Sequence, residues 1–201
     1  YAMDHGDQFV YSVQTGAGSS YTSGPGALLN GGYLPAESIS MGGRTADTNS
    51  IFYCPGLTVS PPYQDATKVI WRCYGTPDFF SDSDYSGNVG GKREELGEFL
   101  KSLSSLSRFF LLNRMKAPSE TMLTADSGFT NTSGDNANRP VWSFQPHKLN
   151  NDTGLKLQHS NRGNVLYADG HARSDGSTEL RLGLNRIKAF VDVDGNGFTI
   201  L

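Results

Sequence analysis

The sequence predicts an α+β fold, on three observations. A single stretch, Lys92 to Ser107, carries a helical period: Leu96, Phe99, Leu100, Leu103 and Leu106 fall on one face. Most other apolar segments are short and rich in β-branched or aromatic residues, as strands are. Glycine supplies 24 of the 201 residues, well above the ordinary share of about 7%, so turns and long loops are expected between the strands. One helix in a strand-rich remainder reads as α+β.

The elements follow in order. Tyr1 to Val10 reads as the exit of a helix, with Gly6 as its stop. Residues 14 to 49 are rich in Gly, Ser and Thr and read as loop, with one short helix at 25–30. Ile51-Phe-Tyr-Cys54 is a strand candidate, and Pro55, Pro61 and Pro62 keep the next stretch extended. Val69 to Tyr74 is a second strand candidate, and residues 75 to 91 a polar loop. In the helix at Lys92 to Ser107, Gly97 costs up to about 1 kcal/mol relative to alanine. Burial of the apolar face, at about 1.5–3 kcal/mol per large side chain, outweighs that. Phe109 to Met115 reads as extended, Pro118-Ser-Glu120 as a turn, and Thr121 to Ala125 as a strand ending at Asp126. Residues 127 to 156 read as a long polar loop.

The most informative stretch is Leu157 to Ala172. His159 is followed by nine residues and then by Asp169-Gly170. Val165 to Ala168 reads as a strand and His171-Ala-Arg173 as its return. Asp-Gly is a dipeptide suited to a type I′ hairpin turn, whose two central residues need positive φ. Lys188 to Val193 and Phe198 to Leu201 read as a terminal hairpin around Asp194-Gly-Asn-Gly197.

Bulk properties narrow the function. At 201 residues one domain, 1–201, is expected. The formal charge of −3 and the lack of a basic stripe argue against nucleic acid as a partner. No run of about 18 apolar residues is present to span a membrane. The chain starts at Tyr1 and not at Met, so an upstream piece is expected to have been removed. Cys54 and Cys73 are compatible with one disulfide or with two separate small buried residues, and spacing does not decide between them.

Several segments, in this order, resemble one family. They are Tyr1-Ala-Met-Asp4, Phe52-Tyr-Cys-Pro55, Tyr74-Gly75, Ala117-Pro-Ser-Glu-Thr-Met-Leu-Thr-Ala-Asp126, and His159 with Asp169-Gly170-His171. Together they resemble the pilin-like, type II secretion pseudopilin-like proteins, which carry a prepilin-type cleavage motif and a C-terminal His-nine residues-Asp-Gly domain. The resemblance covers roughly residues 1–173, and its last motif is the specific one. It implies a membrane-anchored subunit whose N-terminal apolar helix is absent from this chain. The implied fold is an antiparallel sheet packed on a helix, with long loop insertions. The implied role is structural: assembly with other pilin-like subunits or secretion machinery in the cell envelope. The globular domain would be periplasmic or extracellular and the anchor would lie in the inner membrane. His159, Asp169 and Gly170 are then structural motif residues, and no catalytic residue is implied.

Three other readings compete. His159, Asp169 and His171 offer imidazole and carboxylate ligands for zinc or another divalent ion. Turn chemistry accounts for Asp169 without a metal, and His159 is expected to brace the hairpin through a side-chain to main-chain bond. Asp192, Asp194 and Asn196, with Gly197, match the first positions of an EF-hand-like calcium loop, though the Glu at position 12 is missing. A plain hairpin turn is the alternative. Tyr21, Tyr33, Tyr63, Tyr85 and Trp142, in Gly/Ser-rich loops, suggest a secreted or surface glycan- or protein-binding module. An exposed planar row of these rings favours that module, and their burial favours assembly. An enzyme is not expected: there is no Gly-x-Ser-x-Gly elbow, no His-Glu-x-x-His and no phosphate-binding Gly loop.

Overall fold

Thirteen short strands, two short α-helices and a 3-10 turn at Leu112–Arg114 make up the regular structure of the computed structural model, which describes residues 6–14, 21–23, 74–81, 92–105, 107–134 and 137–200. In order they are β1 (Gln8–Gln14), β2 (Tyr21–Ser23), β3 (Thr76–Pro77), α1 (Lys92–Leu96), β4 (Leu100–Ser102), β5 (Arg108–Leu111), β6 (Met122–Ala125), β7 (Ser127–Phe129), β8 (Ser143–Phe144), β9 (Thr153–Lys156), β10 (Arg162–Tyr167), β11 (Ala172–Gly176), α2 (Ser177–Leu182), β12 (Ala189–Val191) and β13 (Gly197–Thr199). The strands form four sheets, ordered β2-β1-β5-β4, β11-β10-β6, β13-β12-β9-β7 and β3-β8. All pairings are antiparallel except β12 with β9 and β3 with β8.

This architecture corrects the α+β expectation. The described chain is mostly β, and no helix is long enough to act as a spine for a pilin-like sheet. The helix expected over Lys92 to Ser107 stops at Leu96, and Leu100–Ser102 is a strand paired with β5. Gly97 is the cause. Its φ is +92°, a left-handed conformation that closes a helix. A Cβ there would collide with the carbonyl oxygen of Arg114 and press on Lys116. Leu96 and Phe99 are buried, but Leu103 is 66% exposed, so the apolar stripe does not continue as one helical face.

Other expectations shift for similar reasons. The helix exit expected near the N-terminus is instead β1, entered through left-handed Gly6 and Asp7. The polar loop over 75–91 contains β3 and a fully buried Phe79. The polar loop over 127–156 contains β7, β8 and β9. The turn at Pro118–Glu120, the strand that follows it and the C-terminal hairpin lie where expected. The helix at 25–30, the strand at 51–54, the strand expected over 69–74 except for Tyr74, which is in a bend, the Cys54 and Cys73 pair and the Tyr1–Asp4 segment lie outside the described residues.

Two apolar cores flank β6. Met122 packs with Phe144, Leu155, Val165, Tyr167 and Phe190, while its neighbour Leu123 packs with Tyr11, Phe79, Phe99 and Phe110. Successive strand side chains point to opposite faces, so one short strand serves both cores. The second core is largely aromatic. Phe110 meets Phe79 and Phe99 at centroid distances of 5.7 and 5.6 Å, the Phe99 contact being edge-on. Offset and edge contacts of this kind are the favoured aromatic geometries.

Candidate functional site

The signature stretch forms a hairpin, but not the one expected from Asp-Gly. β10 and β11 pair from Arg162↔Gly176 to Leu166↔Ala172. The Gly170 N–H donates to the Tyr167 carbonyl at 3.0 Å, and the Tyr167 N–H donates to the His171 carbonyl at 2.9 Å. Gly170 has φ +92°, whereas Asp169 is not left-handed. The connection is therefore a three-residue loop, Ala168 to Gly170, with a turn closed by a left-handed glycine. The two-residue turn with both φ positive lies earlier, at Ser160 (φ +53°) and Asn161 (φ +62°). There His159 and Arg162 exchange backbone hydrogen bonds of 2.9 and 3.0 Å.

His159 sits at the start of that turn. Its Nε2 lies 3.4 Å from Oδ2 of Asp126, whose side chain is 3% exposed. The same Asp126 oxygen accepts the Asn164 N–H at 2.7 Å. The Asp126 backbone donates to the Asn164 carbonyl and accepts from the Lys156 N–H, both at 2.9 Å. Asp126 thus ties the β6–β7 junction to β9 and β10, and His159 caps it from the solvent side. The side chain meets the hairpin's neighbours through the Asp126 carboxylate. Asp126→Ala is expected to cost about 2 kcal/mol, since charge-assisted hydrogen bonds contribute about 1.5–3 kcal/mol. His159→Ala, at a half-exposed position, is expected to cost less than about 1 kcal/mol. Urea unfolding of both single variants and the double variant measures the coupling; additive losses would show that the two side chains do not act together.

Asp169 and His171 form a separate pair at the loop. The ring Nδ1 is 2.6 Å from Asp169 Oδ1, which also accepts the His171 N–H at 3.1 Å. The backbone N–H first, and the imidazole second, hold the Asp169 carboxyl below its ordinary value. The His171 ring stacks on Tyr167 at 4.6 Å and 7°. Beneath it the Tyr167 hydroxyl donates to Asp175 at 2.7 Å, and the Arg173 guanidinium lies 5.0 Å from the centre of the Tyr167 ring. Burial, then the Asp175 contact, pushes the Tyr167 phenol well above its usual range. His159 and Asp169 have thus found different partners. Among the described residues no three His, Cys, Asp or Glu side chains gather as a metal site.

The Asp192–Asn196 loop closes through its own hydrogen bonds. Asp192 Oδ1 accepts the Asn196 N–H at 2.7 Å, and Oδ2 accepts the Asn196 side-chain amide at 3.1 Å. Asn196 Oδ1 accepts from Asn131 at 3.3 Å, and Gly195 is left-handed at φ +82°. Asp194 is exposed, and its backbone carbonyl accepts from the Asn131 amide. The three residues proposed as calcium ligands are adjacent, but both Asp192 oxygens face donors of the loop itself. That arrangement supports the hairpin-turn alternative.

A cleft of about 460 Å³ opens where β1, β5, β7, β8 and β9 converge. Tyr11, Asp78, Arg108, Trp142 and Gln145 line it. Burial first, and Asp78 second, raise the Tyr11 phenol well above its ordinary value. Trp142 is half-buried and tilted by 47° against Tyr11 at 5.2 Å, so it offers no flat exposed platform. The Tyr21, Tyr33, Tyr63 and Tyr85 side chains lie outside the described residues. Tyr11, Asp78, Arg108 and Gln145 were not sequence candidates; they are scattered along the chain and share no motif. No protein-family model matches this chain, and neither does any curated protein or any solved structure.

Proposed function

We propose that this chain is the strand-rich globular head of a non-enzymatic, pseudopilin-like subunit, membrane-anchored and serving assembly in a type II secretion or surface pilus-like system. The observation that carries this reading is the fate of the signature residues. His159 is engaged with buried Asp126, Asp169 with His171, and Gly170 with the loop that joins β10 to β11. That the polar side chains of the motif engage neighbours within the fold supports a scaffold role, and the ordered Tyr-x-x-Asp, Phe-x-Cys-Pro and Pro-Ser segments resemble those of the pilin-like class. The reading rests on those motifs and not on a helix-packed sheet, which the described residues do not form.

The anchor in this reading is an apolar helix upstream of Tyr1. Among the described residues no helix is long and apolar enough to cross a membrane. The partners are other pilin-like subunits and the secretion machinery, with the head on the periplasmic or outer side of the inner membrane. No cofactor is required. Calcium at Asp192, Asp194 and Asn196 would have to displace the hydrogen bonds that now close that loop.

The test is the mature N-terminus of the full-length protein, made in its source bacterium and read by mass spectrometry. The expected result is a start created by prepilin peptidase, N-methylated, followed by an apolar helix, with the protein in the inner-membrane fraction. A mature protein cut by ordinary signal peptidase and released freely would overturn the anchoring and the class together.

A further inference from the structure

A cleft opens beside Trp142, away from the signature hairpin of β10 and β11. We propose that it is a binding site for an uncharged saccharide. The first argument is Gln145. The residue is only 7% exposed, it lines the cleft, and its side-chain carbonyl oxygen finds no hydrogen-bond partner among the described residues. Buried polar atoms are almost always paired, and a turn of this covered amide toward the cleft would bring its orphaned oxygen to a ligand donor. An amide carbonyl accepts only, so the ligand must bring an O–H or N–H to it.

The second argument is charge. Asp78 and Arg108 both line the cleft and lie 3.8 Å apart, as an ion pair too long for a hydrogen bond. An anion would meet Asp78 and the Gln145 carbonyl, and a cation would meet Arg108. A neutral molecule with several hydroxyls satisfies all three, because each hydroxyl both donates and accepts. Ser12 and Ser143 add hydroxyls to the same wall, and Asn150 and Asn151 add amides.

The third argument is shape. Trp142, tilted against Tyr11 and without a flat exposed face, joins Phe129, Val141 and Phe144 in an apolar edge of the lining, against which the C–H groups of a sugar can pack. The volume of about 460 Å³ falls within the range of small-ligand sites. An extended peptide would need an open groove or a sheet edge, whereas this cleft is bounded by strands of three sheets.

The test is calorimetric titration of the whole chain with glucose, galactose, N-acetylglucosamine and cellobiose at millimolar concentrations, with tri-alanine as the peptide control. Saturable binding of at least one sugar is expected, without binding of tri-alanine. Gln145→Leu shortens the side chain by one bond and removes the orphaned carbonyl. It should weaken the sugar by about tenfold or more, the effect of leaving a ligand donor unpaired, with no fall in thermal midpoint. Should Gln145→Leu fail to fold, Asn151→Gly replaces it: Asn151 has φ +50°, which glycine tolerates, and the loss of its amide should also weaken binding. No saturable binding by any of the four sugars overturns the proposal. So does sugar binding that the variants leave unchanged, or tri-alanine binding in place of the sugars. Each of these results leaves the anchoring of the subunit untouched.

Discussion

Phe110→Ala is expected to lower the unfolding free energy by about 3–5 kcal/mol, the usual loss for a buried phenylalanine. Phe110 is 0% exposed and stands at the centre of the aromatic core. Phe9, Tyr11, Phe79, Phe80 and Phe99 all place their rings 5.6–6.1 Å from it. These neighbours come from β1, the segment after β3, and the chain leading into β4. They cannot all collapse into the space of one ring, so most of the cavity would persist. Strand alternation supplies the control. Phe109 precedes Phe110 on β5, points to the other face and is only partly buried. Phe109→Ala is expected to cost less than about 2 kcal/mol, in proportion to its smaller buried area. Equal losses in urea unfolding would mean that the two faces of β5 are assigned wrongly.

Gly97→Ala is expected to cost about 2–4 kcal/mol, from left-handed strain together with overpacking. At φ +92° any L side chain is disfavoured, and here the added methyl would also strike the Arg114 carbonyl. That carbonyl cannot yield easily, because the Lys116 N–H beside it donates to Leu96 at 3.0 Å. Gly170→Ala separates the two causes. Gly170 has the same φ of +92°, yet nothing lies within 4 Å of the Cβ it would gain. Its loss should be only about 1–2 kcal/mol, the strain alone. Thermal unfolding of the pair checks this; a Gly97 loss no larger than that of Gly170 would remove the close approach from the account.

What the sequence made legible was turn chemistry. The Pro118 turn, the returning strands around Asp169-Gly170 and the hairpin around Asp194 to Gly197 all lie where glycine, proline and aspartate placed them. Turn type was less legible. The strict two-residue turn went to Ser160-Asn161, because Asn tolerates the left-handed region and Ser160 is held there by the His159–Arg162 hydrogen bonds. The helical period at Lys92 to Ser107 misled because Leu96 and Phe99 are core residues of two different local conformations, joined at Gly97. β9 was hidden for another reason. All four of its residues are buried, so it shows no alternation, and its glycine and lysine resemble a loop. Asp126 could be seen as a strand end, but its role with His159 requires two segments to meet in space. The cleft was illegible altogether, since Tyr11, Asp78, Arg108 and Gln145 approach one another only after the sheets have formed.

The sheet ordered β13-β12-β9-β7 has a consequence for how the molecule comes into being. Its central pairing joins Leu155 and Lys156 to Phe190 and Val191, with β10, β11 and α2 between them in the chain. Such a closure needs a long loop to be restrained before any contact rewards it, and that slows folding. On the ribosome, the core that joins Leu155 to Phe190 therefore cannot close before β12 has emerged.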